Sequence, residues 1–369
     1  MTQRSDTNSS RQFTIDFYDR LEDAQNQLLY QKMVETVATL NLSTDQFQKT
    51  FQTLFTQRTN QVLELLRIHN VAVQQSSTEN IEQTDDLDAD LINREKKHET
   101  YQLRWLEIDK WEKTLQRFLQ NNTENALSES DLAIQLHQWL PLSLIHQNQS
   151  PVRIDFLTGK KAHRRQFGGG ANQPLARAMG KLEDGLPTVL DATAGLGGDS
   201  FVLASCGFQV AMLERDPFVA CLLQDALTRA KFIEDFDTET SHTDLKEVTG
   251  RLSFIASDSI HYLTQIAQSR ESDTQNKIID TIYLDPMYPE KKKNAATKKE
   301  MALLQQKVGP DLDSHKLLDV ALKVARYRVV VKRPKNAPII EHPTYQPTTA
   351  IKSPNTRYDI YVIKALKKH

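Results

Sequence analysis

Hydrophobic and polar positions in the second half of the chain follow two alternating patterns. Short apolar runs rich in β-branched residues are typical of buried strands, and apolar residues that recur about every 3.6 positions are typical of helices. The predicted strands are 188–192, 209–214, 252–256, 278–284, 327–331 and 358–364, and the predicted helices are 199–206, 217–232, 259–265 and 314–325. Strands that alternate with helices predict a parallel sheet with helices on both faces.

The first half shows mainly the helical pattern and no cluster of chemically active residues. Helices are predicted over 13–40, over the apolar positions between Phe47 and Ile68, around 105–118 and from about 128 to Pro141, although 100–108 could instead form a strand. The polar, acidic stretch 74–90 is typical of a flexible linker. We therefore predict a mainly helical N-terminal region over 1–148, with an acidic linker near 74–90, and an α/β domain over 149–369.

Composition and charge narrow the class of protein. Of 369 residues, 39% are hydrophobic and 25% charged, and neither a signal peptide nor a membrane-spanning run is predicted. Cys206 and Cys221 lack paired spacing, which argues against a disulfide framework or a zinc site, predicts no metal, and suits a reducing cytoplasm.

Residues 1–140 carry 14 Lys and Arg against 22 Asp and Glu, whereas residues 141–369 carry 32 against 26. The basic second half points weakly to a polyanionic partner, and ordinary solubility charge is the simpler explanation.

A glycine-rich turn follows the first strand of the second half. The strand ends at Asp191, the turn contains Gly195, Gly197 and Gly198, and a helix opens near Asp199. Glycine lets the backbone approach a ligand closely, and a helix N-terminus offers unpaired N–H groups, so the segment predicts a nucleotide-type site. The turn is close to a dinucleotide fingerprint, but serine replaces its third glycine, so the turn alone is a weak signal.

Polar residues also follow the second and third strands. Glu214 ends the strand 209–214, where a carboxylate can accept hydrogen bonds from both ribose hydroxyls of a nicotinamide or S-adenosylmethionine cofactor. Alternatively, Glu214 is a surface residue at a strand end. After the third strand, Asp258 or Ser259 could meet the adenine, cap the following helix, or do both.

The segment after the fourth strand indicates a reaction. Asp285-Pro286-Met287-Tyr288 resembles the Asn/Asp-Pro-Pro-Tyr/Phe motif of methyltransferases that act on planar amines of nucleobases or glutamine. Asp285 and the Pro286 carbonyl can accept the two amine N–H bonds, and Tyr288 can stack on the base. These residues predict that Asp285 and Tyr288 are catalytic. Taken alone, the motif could also be a simple turn after a strand.

Three basic runs are expected at or near the carboxyl edge of the sheet. The first is 160–165, which contains His163. The second consists of 291–293 and 298–299, and the third is 332–335. Lysine and arginine in such positions suit contacts with a phosphate backbone, which predicts RNA binding. For any single run, a solvated face is the simpler explanation. His163 could be catalytic, although a structural or phosphate-contacting role is the simpler expectation.

Several longer blocks resemble the ribosomal RNA small subunit methyltransferase J family, from about Val152 to the C-terminus. They are Lys161–Gly170, Asp191–Gly197, Met212–Arg215, Tyr283–Pro289 and Val329–Pro334, with further matches at Lys299–Met301, Val308–Asp313 and Arg357–Tyr361. In that family the methionine equivalent to Met287 is usual, whereas the position of Gly198 is often arginine and that of Asp258 often serine. Residues 1–140 do not match well.

The resemblance implies a Rossmann-like, S-adenosylmethionine-dependent methyltransferase domain that acts on the N2 amine of a guanine in 16S ribosomal RNA. It implies a cytoplasmic protein whose partner is 16S rRNA or the small ribosomal subunit, without a membrane. Cofactor contacts are implied at Gly198, Asp199, Glu214, Arg215, Asp258, Ser259 and Asp285, and the glycine turn adds Gly195.

The residues also allow functions of other classes. An amine methyltransferase could act on DNA adenine or on a protein glutamine. A nucleotide-dependent oxidoreductase would share the glycine turn and Glu214, but it has no use for the motif at Asp285. A non-enzymatic RNA-binding or assembly factor could keep the fold and bind RNA without a cofactor.

Overall fold

The computed structural model describes residues 15–16, 44–69, 73–74, 101–104, 141–146, 151–156, 172–236, 243–270, 279–287 and 313–366. Their strands are β1 (Ile15–Asp16), β2 (Val73–Gln74), β3 (Tyr101–Arg104), β4 (Ser143–His146), β5 (Val152–Arg153), β6 (Val189–Asp191), β7 (Val210–Glu214), β8 (Leu252–Ala256), β9 (Thr281–Leu284), β10 (Arg328–Pro334), β11 (Thr349–Lys352) and β12 (Thr356–Val362). Their helices are α1 (Thr44–Ile68), α2 (Pro174–Met179), α3 (Gly198–Ser205), α4 (Pro217–Phe236), α5 (Thr243–Gly250), α6 (Ser259–Arg270) and α7 (Ser314–Val324).

A seven-stranded sheet organises the second half of the chain. Its spatial order is β11-β12-β10-β9-β6-β7-β8. The strands β10, β9, β6, β7 and β8 run parallel to one another, whereas β12 runs antiparallel to both β10 and β11. The chain moves outward from β6 in one direction through β7 and β8 and in the other through β9 and β10. Such a switch point is where open α/β sheets bind ligands, at the carboxyl ends of the strands.

Side chains alternate between the two faces of this sheet, and each face has its own core. Val189, Met212, Tyr283 and Val330 pack in the core that includes the buried residues of α3 and α4. Their chain neighbours, such as Leu190 and Ile282, pack in the core that includes α6 and α7. By the same alternation, Asp191, Asp285 and Lys332 stand on the face of α3.

The predicted parallel sheet with helices on both faces is confirmed. All six predicted strands and all four predicted helices of the second half are present within a few residues of their expected ends. The edge strand β11 and the helices α2 and α5 were not predicted.

A second, smaller sheet has the order β2-β1-β3-β4-β5, in which four strands come from the N-terminal region and β5 lies just beyond it. The predicted helix over 13–40 is wrong at Ile15–Asp16, because Ile15 pairs with Val73 and with Tyr101. Gln74, expected in the linker, belongs to β2. The helical period could not reveal pairing with strands so distant in sequence. The expected second helix is α1, and the alternative strand at 100–108 is confirmed as β3. The other elements predicted before residue 141 lie outside the described residues.

A buried charge cluster joins α1 to α4. Asp225 accepts hydrogen bonds from Arg58 Nε at 2.9 Å, Arg229 Nε at 2.9 Å and the Leu142 N–H at 3.0 Å. Arg229 also donates to the Ile154 carbonyl. Burial alone would raise the pKa of Asp225, but the two guanidinium groups lower it below its usual value. We call Arg58, Asp225 and Arg229 the arginine clasp.

The clasp and the β4–β5 pairing connect residues on both sides of 148, so the division at 148/149 stays a prediction. Among the residues that the structure describes, no helix has the length and apolar character needed to cross a membrane.

Candidate active site

A pocket opens at the carboxyl edge of the large sheet, beside the switch point at β6. It contains six residues that the sequence predicted for the cofactor site, namely Gly195, Glu214, Arg215, Asp258, Ser259 and Asp285. The remaining lining residues are Ala192, Thr193, Leu213, Val219, Ile260, Met287, Asp313, Ser314 and Leu317. The structure therefore assembles residues that follow four different strands into one concave site.

The glycine turn forms one wall of this pocket. Gly195 and Gly197 have φ values of 52° and 67°, in the left-handed region that favours glycine. A Cβ on Gly195 would lie 4.0 Å from the Thr193 carbonyl oxygen, an ordinary van der Waals distance, so this wall is open. A Cβ on Gly197 would lie 2.9 Å from Leu223 Cδ1 and 3.1 Å from Phe156 Cζ. Gly195 thus leaves space for a ligand, whereas Gly197 lets α3 pack closely.

Glu214 holds the turn in place from the end of β7. Its Oε2 accepts a hydrogen bond from the Gly195 N–H at 2.8 Å, and its Oε1 accepts one from the Asp216 N–H at 2.8 Å. Burial raises the pKa of Glu214 to about 7. A carboxylate offers about four acceptor positions, so Glu214 can still accept hydrogen bonds from a ligand's hydroxyl groups.

Arg215, Asp258 and Asp313 form a charged rim across the pocket. Arg215 Nη1 donates to Asp313 Oδ2 at 2.8 Å and lies 3.8 Å from Asp258 Oδ2. Asp258 Oδ1 accepts a hydrogen bond from the His261 N–H at 2.9 Å, which caps the first turn of α6. Ser259 is buried and donates its hydroxyl to the Ala192 carbonyl at 2.6 Å. Asp258 and Ser259 therefore have structural partners, as the capping alternative predicted, while both also line the pocket.

Asp191 lies buried beneath the glycine turn and was not predicted as a site residue. It accepts hydrogen bonds from Ser200 Oγ at 2.5 Å and from the Thr193 N–H at 3.1 Å. Burial raises the pKa of Asp191 to about 7, although these two hydrogen bonds lower it in part. Asp191 thus ties the strand end to both the turn and α3.

Lys332 connects two of the predicted site residues. Its Nζ lies 2.7 Å from Asp199 Oδ2 and 2.8 Å from Asp285 Oδ2. Tyr283 donates its hydroxyl to the same Asp199 oxygen at 2.6 Å. Burial alone would lower the pKa of Lys332, but the carboxylates of Asp285 and Asp199 raise it well above its usual value. We call Tyr283, Asp199, Lys332 and Asp285 the lysine bridge.

The basic run at 332–335 therefore differs from its prediction. Lys332 binds Asp199 and Asp285 within the lysine bridge, and Arg333 is buried and donates to the Pro338 carbonyl at 3.1 Å. Successive side chains of β10 turn toward opposite faces of the sheet, and both residues have partners inside the protein, so neither is the solvated side chain that the prediction assumed. The RNA contact of this run stays a prediction. Lys335, beyond the strand, is exposed.

The chain is similar in sequence to known SAM-dependent methyltransferases. The family of SAM-dependent methyltransferases matches residues 113–363. Ribosomal RNA small subunit methyltransferase J of Hydrogenovibrio crunogenus is 57% identical over 226 residues, which cover 61% of this chain and 75% of that protein. The protein of the same name from Pseudomonas fluorescens is 41% identical over 262 residues, or 71% of this chain and 92% of that protein. The chain belongs to the ribosomal RNA small subunit methyltransferase J family.

A solved SAM-dependent methyltransferase from Neisseria gonorrhoeae is 33% identical and covers 60% of this chain and 79% of its own, with a TM-score of 0.44. Membership in the methyltransferase J family confirms the predicted fold class and the cofactor, S-adenosylmethionine. The roles of individual site residues stay predictions.

Two predicted cofactor residues stand outside the pocket lining of this methyltransferase. Gly198 is the first residue of α3, and Asp199 follows it and reaches the site through Lys332. The predicted catalytic Tyr288 and the basic runs at 160–165, 291–293 and 298–299 lie beyond the described parts of the chain.

Lys332 was missed as a site residue, although its block Val329–Pro334 carried the family resemblance. The strand register could have identified Lys332. Val331 pairs with Leu284 in parallel strands, so the residue after Val331 lies beside Asp285, the residue after Leu284.

Proposed function

We propose that this protein transfers a methyl group from S-adenosylmethionine to the exocyclic N2 amine of a guanine in 16S ribosomal RNA. The observation that carries the proposal is the position of Asp285, which follows β9 and lines the same pocket as Gly195 and Glu214. A cofactor site and an acceptor for amine N–H groups would therefore share one cavity. The names of the relatives support ribosomal RNA as the substrate.

The residues of the pocket fit the proposed cofactor. Glu214 would accept hydrogen bonds from ribose hydroxyls, and Gly195 would let the ligand approach the backbone. Asp258 and Ser259 line the part of the pocket that follows β8, where the adenine is expected. When bound, S-adenosylmethionine supplies an electrophilic methyl group on a sulfonium, which leaves as a neutral thioether.

The remaining chemistry requires the chain to orient a weak nucleophile. The guanine N2 amine is conjugated to its ring, so Asp285 and the Pro286 carbonyl would accept its N–H bonds and increase electron density on nitrogen. Tyr288 would stack on the base. The Asp285 carboxylate would accept the proton that the amine loses when it receives the methyl group. Alignment matters more than base strength, because the leaving group is already good.

We further propose that the α/β domain over 149–369 carries this reaction in the cytoplasm, with the small ribosomal subunit or free 16S rRNA as its partner. The region over 1–148 would be an accessory region attached through the arginine clasp.

The decisive experiment is transfer of labelled methyl groups to small ribosomal subunits from a strain that lacks this gene, followed by nucleoside analysis. The expected product is N2-methylguanosine, and Asp285→Asn should lower kcat by about 100-fold or more. The cofactor Kd of this variant is measured separately, because Asp285 also lines the cofactor pocket. DNA and a glutamine-containing protein serve as competing acceptors. Label in adenine or glutamine, or unchanged transfer by Asp285→Asn, would contradict the proposal. RNA affinity without any cofactor binding would instead support an assembly factor.

A further inference from the structure

The lysine bridge places a cation at the position where the proposed nucleophile is oriented. Lys332, Asp199 and Asp285 come from the end of β10, the first turn of α3 and the residue after β9. Their side chains are 26%, 25% and 38% exposed, so the bridge is neither a surface pair nor a closed core pair. It lies at the boundary between the protein interior and the pocket.

Two separate contacts restrain Asp285. Its backbone N–H donates to Thr193 Oγ1 at 2.6 Å, which fixes the main chain against the glycine turn. Its carboxylate is bound by Lys332 at 2.8 Å, which fixes the side chain. The main-chain contact comes from the β6 side of the switch point, and the side-chain contact comes from β10. Only the second contact depends on charge.

Lys332 is itself restrained by a second carboxylate, that of Asp199. Asp199 binds the ammonium at 2.7 Å, and the hydroxyl of the buried Tyr283 donates to the same Asp199 oxygen. Asp199 also lies in the first turn of α3, where the helix dipole favours a carboxylate. The ammonium thus has a fixed anchor, and a fixed ammonium can orient a second carboxylate.

We infer that Lys332 is a positioning residue for methyl transfer: anchored by Asp199, it holds the Asp285 carboxylate toward the pocket in the orientation that accepts the amine N–H. This inference rests on the proposed function of Asp285. The three groups carry a net charge of −1. One negative charge of the bridge therefore remains to stabilise the positive charge that develops on the acceptor nitrogen.

The test compares Lys332→Met, Lys332→Arg and Asp199→Asn in the full-length protein with small ribosomal subunits as substrate. Lys332→Met should lower kcat by about 100-fold, the cost of a misplaced reacting group, while the cofactor Kd and the KM for subunits change less than about threefold. Lys332→Arg keeps the charge and should recover activity to within about tenfold of wild type. Lys323→Met is the control, because Lys323 pairs with an aspartate at 2.7 Å on the exposed face of α7.

The double variant tests whether Asp199 acts through Lys332. Asp199→Asn alone should lower kcat by about tenfold, and in the Lys332→Met background it should lower kcat no further, because coupled residues are not additive. Equal losses in both backgrounds would show that Asp199 acts independently and would overturn the anchoring part of the inference.

The pH profile separates positioning from a general structural role. Asp285 interacts electrostatically with Asp191 from β6 and with Tyr283 from β9, and it shares Lys332 with Asp199 from α3, so removal of the ammonium leaves their repulsion without the compensation that Lys332 supplies. The acid limb of kcat should therefore move to higher pH in Lys332→Met, while it stays in place in Lys332→Arg and in the control.

The remaining outcomes decide between the inference and the proposed function. Wild-type activity with an equally active Lys332→Met variant would overturn the inference alone. A parallel loss of cofactor binding would assign Lys332 to the cofactor and also overturn it. No transfer by the wild-type protein would remove the proposed function and the inference together. If Lys332→Met does not fold by thermal denaturation, Lys332→Arg and Asp199→Asn carry the test.

Discussion

The arginine clasp and the lysine bridge are opposite arrangements of three charges. In the clasp one carboxylate lies between two guanidinium groups, and in the bridge one ammonium lies between two carboxylates. The side chains of Asp225, Arg58 and Arg229 are 1%, 4% and 1% exposed, whereas those of the bridge are about one-quarter to two-fifths exposed. The clasp is thus closed to solvent, while the bridge borders a pocket.

This difference separates two uses of charge. The clasp also takes up a main-chain N–H and a main-chain carbonyl, so it connects α1, α4 and the segments beside β4 and β5. Breaking it would leave buried charges uncompensated, which is costly. The bridge ends instead at a carboxylate that lines the pocket, so its loss should alter the reaction more than the fold.

The largest expected effect is on the clasp. Asp225→Ala should lower the free energy of unfolding by about 3–5 kcal/mol, because it leaves Arg58 and Arg229 buried without their carboxylate. Urea unfolding followed by circular dichroism measures this. Lys332→Met, measured alongside, should lose much less, about 1 kcal/mol, because water reaches its partners. Equal losses in the two variants would remove the distinction between the clasp and the bridge.

A second prediction concerns Asp191, which lies beneath the bridge but is as buried as the clasp. The pKa of Asp191 is raised from its ordinary value of 3.8 to about 7 in the folded protein. The protonated carboxyl group therefore stabilises the fold at low pH, and this stabilisation is lost as the pH rises from 3.8 through about 7. Asn does not titrate. The unfolding free energy of Asp191→Asn relative to wild type should therefore increase between pH 5 and pH 8, by up to about 3 kcal/mol. Urea unfolding at several pH values checks this, and parallel curves would contradict it.

A third prediction tests the cofactor side of the pocket. Glu214→Gln should weaken S-adenosylmethionine binding about tenfold, since hydrogen bonds to a charged group are stronger than to a neutral one. Wild-type affinity should increase as the pH rises through about 7, where Glu214 ionises, and the variant should lack this dependence. Calorimetry at pH 6 and pH 8 measures both. A wild-type Kd that does not change with pH would argue against Glu214 as a ligand of the ribose.

The smallest effect is expected at Lys323, whose pair with Asp319 is an exposed i,i+4 contact. Lys323→Met should change the unfolding free energy by less than about 0.5 kcal/mol and leave kcat unchanged. A larger change would mean that exposed pairs in this protein contribute as much as the partly buried bridge.

Much of the large sheet could be predicted from sequence because its strands are short, apolar and bounded by turn residues. Local patterns also located the polar residues that follow each strand, since their position depends only on where the strand ends. β11 escaped prediction because it is an edge strand with mostly exposed side chains and therefore lacks an apolar run.

The lysine bridge and the arginine clasp could not be predicted in the same way. Lys332 is 133 residues from Asp199, and Arg58 is 167 residues from Asp225. No local period records such pairs. Within a basic run, a lysine that enters the protein has the same sequence signature as one that faces solvent, and only the strand register distinguishes them.

The separation of Arg58 from Asp225 also has a consequence during translation. At 5–20 residues per second, the ribosome needs on the order of 10–30 s to proceed from Arg58 to Asp225. During that interval α1 has left the exit tunnel before the carboxylate that will neutralise its arginine has been synthesised. Arg58 of α1 must therefore wait for α4 before it can be paired, so the burial of this arginine is timed by the synthesis of the second half of the chain.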